Sequence, residues 1–254
     1  GYKDNFIVTS EYFHLFVIQG PAKLAKMLNL DKSSLHIKVV DDIYPYKQRK
    51  VAILNGAHTA MVPLALLGGL ESVGQTMDDP LYAEYVNALI FNEIIPTLDL
   101  PKDELQQFAN DVIKRFQNPF IHHLLISIAL NSMTKVHTRL IPQLLKYVEQ
   151  NQQVPSLIAS AIAAQILLYK GEFKGQSFTL SDSDEWMALF KDVWAKYDRQ
   201  EISIADVVKE VLSAAWHWEQ DLTLIPQLHE SVSEYAEKFI EHGVRPTLQQ
   251  QLAE

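Results

Sequence analysis

The chain has 254 residues, a formal net charge of −9, 48% hydrophobic residues and no cysteine. That much apolar content in a chain of this length fills a core, which excludes disorder, a collagen-like chain and a disulfide-stapled scaffold. The lack of cysteine removes thiolate catalysis, iron–sulfur clusters and Cys-ligated zinc, and the acidic balance argues against a broad nucleic-acid surface.

The first forty residues read differently from the rest. The opening, GYKDNFIVTSEYFHLFVIQGP, has early polar residues and only a short apolar run, unlike a signal peptide. Phe13–Gly20 (FHLFVIQG) and Leu35–Val40 (LHIKVV) are short β-branched or aromatic runs closed by Gly-Pro and Asp-Asp, which predicts two strands. From about Tyr44 the spacing is helical. It predicts helices at Tyr44–Leu67, Leu81–Leu98, Lys102–Phe116, Phe120–Ile141, Val154–Tyr169, Asp184–Tyr197, Ile204–Trp216 and Gln227–Glu241, with a short tail. Pro80, Pro101 and Pro119 read as first-turn prolines, Asp99–Glu104 and Ser183–Trp186 as helix starts, and Pro142 and Pro226 as kinks or ends. Glu149–Gln153 and Lys170–Ser183 read as polar loops. No βαβ alternation and no fixed-period repeat is expected. The two most apolar stretches, Val51–Leu70 and Val154–Tyr169, are interrupted by polar residues, so no membrane span is expected. The expectation is one mainly α domain over residues 1–254 with a small β element near its start, soluble and cytoplasmic.

The chemistry concentrates in Tyr46–Pro63, YKQRKVAILNGAHTAMVP. In an α-helix Asn55 lies about 140° from Lys50, with His58 between them at about 80°, so the three polar groups share one side of an otherwise apolar helix. A lysine in apolar surroundings has its pKa lowered and serves as a general acid/base near neutral pH. An asparagine amide donates to a developing alkoxide, and a histidine orients a hydroxyl or carbonyl. The plainer alternative is a lysine snorkelling to water beside core polar groups that are satisfied internally. Gly56 is a poor helix former and suggests a close approach to the backbone.

KVAILNGAHT carries the Lys-x4-Asn-x2-His pattern of the polyol-specific long-chain dehydrogenases, and the chain resembles that family from Val8 to about Gly171. VTSEYFHLFVIQGP resembles the segment that opens the C-terminal half of those enzymes. RFQNPFIHHLLISIALNSMTKVHTRLIPQLL (Arg115–Leu145) resembles their second substrate-lining helix. NGAHTAMVPLA, NEIIPTLDLP and MTKVHTR are most similar to the tagaturonate reductase branch. The resemblance implies a multi-helical C-terminal dehydrogenase domain of the 6-phosphogluconate dehydrogenase type.

It also implies roles. Lys50 corresponds to the general acid/base, Asn55 to the oxyanion-stabilising amide and His58 to the substrate-orienting imidazole. Lys135 stands where polyol members commonly have arginine. Lys135 and Arg139, four apart, repel unless an anion lies between them or they face water, and Asn131 shares their stripe. A hexuronate carboxylate is a suitable anion. The implied reaction is metal-free hydride transfer between NAD(H) and a sugar acid, tagaturonate to altronate, with fructuronate or mannitol/fructose as alternative substrates. Oxidation requires neutral Lys50, so its rate is expected to rise with pH.

No three glycines make G-x-G-x-x-G after a strand, so the NAD-binding Rossmann domain is expected to precede this region in the same polypeptide. The isolated region is then expected to be inactive. His122, His123, His137 and His217 lack metal-ligand pairing, and the four tryptophans read as core. Lys47–Lys50 reads as the solvated start of the catalytic helix. The reading from another class is a helical interaction module that kept the fold without the chemistry.

Overall fold

The computed structural model describes residue 6 and residues 14–253, and the chain separates into two compact units, Gly1–Gln48 and Arg49–Glu254. The expected strand over Phe13–Gly20 includes Phe13, which lies outside the described residues; its described part holds β1 (Phe16–Gln19). In the first unit β1 pairs in parallel with β2 (Ile37–Val40), in register from Phe16 opposite Ile37 to Gln19 opposite Val40. The connection is α1 (Lys23–Met27) and a 3-10 turn at Leu30–Lys32. A parallel strand–helix–strand crossover is therefore present, against the sequence expectation. The helix has only five residues and buries none of them, so it leaves no apolar periodicity to read.

A helical run spans Tyr44–Leu67 as expected, but it is not uniform. It consists of α2 (Tyr44–Arg49), a π-helical stretch at Lys50–Gly56 and α3 (Ala57–Leu67). By length and composition the run is apolar enough to cross a membrane. Yet 72% of its most apolar window is buried in the protein, as in a core helix. α4 (Val73–Asp78), which the sequence reading missed, is closed by a capping box of Ser72 and Gln75. α5 (Pro80–Ala88) begins on the expected proline and continues into a second π-helical stretch at Leu89–Ile94. α6 (Lys102–Phe116) matches its expected bounds.

The helix expected over Phe120–Ile141 does not form as one piece. The chain after α6 runs without helix to α7 (Leu125–Ile128), so Pro119 starts no helix. It breaks again at Asn131, whose φ of 51° is left-handed, before α8 (Ser132–Arg139). Pro142 lies in the first turn of α9 (Ile141–Asn151) and so begins a helix where a kink or end was expected. α10 (Ser156–Leu168) is followed by a hairpin of β3 (Glu172–Phe173) and β4 (Gln176–Ser177) inside the expected loop. Its turn residues, Lys174 and Gly175, both have positive φ, as a tight two-residue hairpin requires. α11 (Asp184–Asp198), α12 (Ile204–Leu212), α13 (Ala215–Trp218), α14 (Leu228–His242) and α15 (Val244–Ala253) complete the chain.

The core is centred on α10, from which every side chain between Leu157 and Leu168 is buried, packed against α3 and α14. A helix apolar on all sides must be enclosed by others. Its N-terminus has no local side-chain cap. The buried Glu93 supplies one, accepting the N–H groups of Leu157 at 2.8 Å and Ile158 at 2.9 Å. Burial holds the Glu93 carboxyl up at about 7, against the pull of those two bonds. Trp186, Trp194 and Trp218 are buried as expected, whereas Trp216 is exposed.

Candidate active site

The π-helical stretch decides how the candidate residues face one another. Winding that bonds residue i to i+5 brings Lys50 and Asn55, five apart, close to one above the other. The angular separation expected for an α-helix is thereby reduced, and a π insertion of this kind is frequent at functional sites. The stretch starts beside a buried arginine. Arg49 places its guanidinium over the Phe108 ring at 4.4 Å and 3.6 Å from Glu104, fixing the run against α6. Lys50 is exposed, so the apolar surroundings expected for it are not supplied by the Arg49–Glu254 unit.

Asn55 and His58 are half-buried and differ in what holds them. The Asn55 carbonyl accepts from Thr59 Oγ1 at 2.9 Å and from Arg139 Nη1 at 3.5 Å, while its side-chain amide has no hydrogen-bond partner among the described residues. The His58 ring stacks on Phe116 with centroids 4.2 Å apart and meets His123 edge-on at 6.2 Å. Its Nε2 is buried and has no hydrogen-bond partner among the described residues. Burial, and then the charges of His123, Arg139 and Arg115, push the imidazole down to about 3. His58 is therefore neutral at physiological pH, with one ring nitrogen to donate and one to accept.

α8 carries the second group of candidates. Arg139 reaches back to the first group: Nη1 donates to Thr59 Oγ1 at 3.2 Å as well as to the Asn55 carbonyl, and desolvation lowers its pKa. Lys135 turns instead to the preceding turn. Its ammonium donates to the Ile128 carbonyl at 2.8 Å and to the Leu130 carbonyl. Two of its three donors are so used, and one remains. Burial and Arg139 lower its pKa, while Asp182 opposes them. Asn131 is exposed at the start of α8. Among the described residues neither Lys135 nor Asn131 is hydrogen-bonded to Lys50, Asn55 or His58.

The fold thus brings Asn55, His58 and Arg139 together and sets Lys50 one π turn away, whereas Lys135 turns back to the Ile128 and Leu130 carbonyls and Asn131 lies at the opposite end of α8 from Arg139. It adds three residues that spacing alone did not single out: Thr59, Phe116 and Arg115. Arg115 lies in the last turn of α6, where a cation reads as an ordinary partner of the helix dipole. The approach expected at Gly56 is that of the Arg139 carbonyl, which would lie 3.5 Å from a Cβ there, an ordinary contact. The histidines form no metal cluster: among the described residues no three His, Asp or Glu side chains converge.

The mannitol dehydrogenase C-terminal domain family matches residues 42–240. The chain belongs to that family. Altronate oxidoreductase of Yersinia pestis is 51% identical over 245 residues, covering 96% of this chain and 51% of its own length. Altronate oxidoreductase of Klebsiella pneumoniae (strain 342) is 49% identical over 249 residues, covering 98% of this chain and 52% of its own. The chain therefore spans about half the length of the curated relatives it matches. Two solved structures share the fold. Pseudomonas fluorescens mannitol 2-dehydrogenase, in ternary complex with NAD and D-mannitol, gives a TM-score of 0.76 at 22% identity, covering 87% of this chain and 43% of that one. Substrate-free D-sorbitol dehydrogenase gives 0.69 at 20%, covering 90% and 51%. The mainly helical fold with a small β element is what the sequence led us to expect, and the parallel pairing of that element is what it did not.

Proposed function

We infer that this region is the substrate-binding and acid/base half of an NAD-dependent oxidoreductase that interconverts tagaturonate and altronate. The observation that carries the reading is that the buried Nε2 of neutral His58 and the amide of half-buried Asn55, near Lys50, have no hydrogen-bond partner among the described residues. Groups left unsatisfied at the edge of a well-packed core are positioned for a ligand. Arg139 and Arg115 surround them with positive charge in a chain whose net charge is −9, as an anionic sugar acid requires. The altronate oxidoreductase relatives support the choice of substrate.

The described residues contain no glycine-rich dinucleotide turn, so NAD binding is assigned to a preceding Rossmann domain of the same polypeptide. The parallel β1–β2 pair fits as a piece of that domain's sheet, since two strands with open edges are marginal alone. When bound there, NADH supplies a hydride to the ketone carbon. Protonated Lys50 donates its proton to the ketone oxygen as the new C–H bond forms, leaving a neutral amine. The Asn55 amide donates to the same oxygen while negative charge develops on it, and His58 orients a neighbouring hydroxyl. Lys135 and Arg139 hold the carboxylate, with Asn131 at the rim. In oxidation neutral Lys50 takes the hydroxyl proton.

The test uses the intact enzyme with NADH and tagaturonate, fructuronate or fructose. Tagaturonate should turn over fastest, and Lys50→Ala should lower kcat by about 10²–10⁴-fold with NADH binding, read by fluorescence, retained. Faster turnover of fructose overturns the substrate, near-normal turnover in Lys50→Ala overturns the acid/base, and NADH binding without turnover of any substrate favours a non-catalytic interaction domain.

A further inference from the structure

Resting on that reading, we propose that Asp182 is a positioning residue for the carboxylate-holding end of the site. It caps α8 from outside the helix and so fixes where Lys135 presents its remaining donor. The segment following the β3–β4 hairpin lies within residues 42–240, which the family model matches, yet it has no role in the reaction proposed for the site.

α8 begins without local help. Asn131 at its N-cap is in the left-handed region, and its side chain makes no cap bond. The first-turn N–H groups of a helix need acceptors, and a short helix with none frays. Here the acceptors come from fifty residues downstream. The Asn131 N–H donates to the Ser181 carbonyl at 2.9 Å, and the Met133 N–H donates to Asp182 Oδ2 at 3.0 Å. The same Oδ2 accepts the Tyr169 hydroxyl, at the end of α10, and Oδ1 accepts the Ser183 N–H at 2.9 Å. Tyr169 itself stacks on Phe190 with centroids 4.4 Å apart, so the carboxylate is anchored to the packed core. Glu93 does the same for α10. Two helices of this fold are thus started by carboxylates remote in sequence, and only one of them carries candidate substrate groups.

The link to Lys135 is geometric and electrostatic. Lys135 lies one turn into α8, with its ammonium folded back onto the Ile128 and Leu130 carbonyls just before the cap. Moving the first turn moves those carbonyls relative to the ammonium. The charged groups acting on Lys135 are Arg139 of its own helix, which disfavours its proton, and Asp182, which favours it. From α13, His217 lies with its ring 5.2 Å from His137, and it is held low by burial first and then by His137, against the Met133 backbone and Asp182.

Steady-state kinetics of the intact enzyme with tagaturonate and NADH tests this. Asp182→Ala should raise KM for tagaturonate about tenfold, with kcat and KM for NADH changed less than about threefold, as for loss of ground-state binding. Asp182→Asn keeps an oxygen for the Met133 N–H but removes the charge. It should recover most of the KM at pH 7 and shift the pH at which KM begins to rise downwards, because Lys135 then loses its proton more readily. Equal changes in both KM values, or an Asp182→Asn profile that superimposes on the unaltered enzyme, overturn the proposal. If Asp182→Ala does not fold, the Asp182→Asn profile and a KM increase in Tyr169→Phe decide it. Lys135→Ala separates this from the reading beneath it. An unchanged KM for tagaturonate there sinks the substrate assignment, whereas a raised KM with no effect of Asp182→Ala sinks the positioning role alone.

Discussion

The two helical stretches that carry the candidate residues satisfy their polar groups in opposite ways. From Lys50 to His58 the side-chain groups are left over: the Asn55 amide and His58 Nε2 have no partner among the described residues, and Lys50 is exposed. Along α8 the side chains are committed. Lys135 binds two carbonyls, Arg139 binds Asn55 and Thr59, and the helix start is held by Asp182. Half-buried polar groups without protein partners are open to a ligand, so the proposed chemistry falls on the first stretch, while the second is tied to the protein's own groups.

The largest expected effect separates those two parts. Asn55→Ala in the intact enzyme should lower kcat a hundred- to thousand-fold, about 3–4 kcal/mol of transition-state stabilisation. Folding stability in urea should change little, because the amide has no bond to lose. A destabilised protein with near-normal kcat would place Asn55 with α8.

His58 gives the next. Its folded pKa, about 3, lies below the ordinary value of 6.5, so the unfolded chain binds the proton more readily. The stability tied to the neutral ring is present above pH 6.5 and is lost as pH falls towards 3. Between pH 7 and pH 4 that loss is about 3 kcal/mol. Denaturation at the two pH values should show a smaller difference in His58→Gln than in the unaltered protein. Equal differences would mean that the ring is not held neutral.

Arg139 tests the committed side. Arg139→Ala removes bonds to the Thr59 hydroxyl and the Asn55 carbonyl, which should cost about 2 kcal/mol of stability. Thr59→Ala should be partly redundant with it in a double-mutant cycle. Strict additivity would show that the guanidinium does not tie α8 to the Asn55–Thr59 turn.

How much of this the sequence carries depends on the range of the interaction. α6, α11 and α14 were legible because their signals are local, such as the acidic first turn of α6 and Ser183 as the cap of α11. Lys50, Asn55 and His58 stood out as candidates because they interrupt an apolar run at a motif's spacing. The π winding was not, because an apolar run reads alike in α and π geometry and no residue marks the extra backbone step. The break at Asn131 was hidden for a related reason, since its acceptors, Ser181 and Asp182, lie far along the chain. Glu93 as the cap of α10 was hidden too, since the N–H groups it accepts, those of Leu157 and Ile158, lie more than sixty residues away.

Glycine makes the same point in the smallest effect. The sequence singles out Gly56, yet a Cβ there would meet the Arg139 carbonyl at 3.5 Å, an ordinary distance. The demanding position is Gly68, at the end of α3, where a Cβ would lie 1.8 Å from the hydroxyl of the buried Tyr82 and 3.1 Å from the Leu64 carbonyl. Gly68→Ala should therefore cost about 2 kcal/mol through overpacking. Gly56→Ala should be neutral or stabilising by about 0.5–1 kcal/mol, the helix-propensity gain. Urea denaturation of both variants checks this. If Gly56→Ala proves the more damaging, α8 presses on the π stretch more closely than its carbonyl contact indicates, and the free and committed halves of the site share one tightly packed seam.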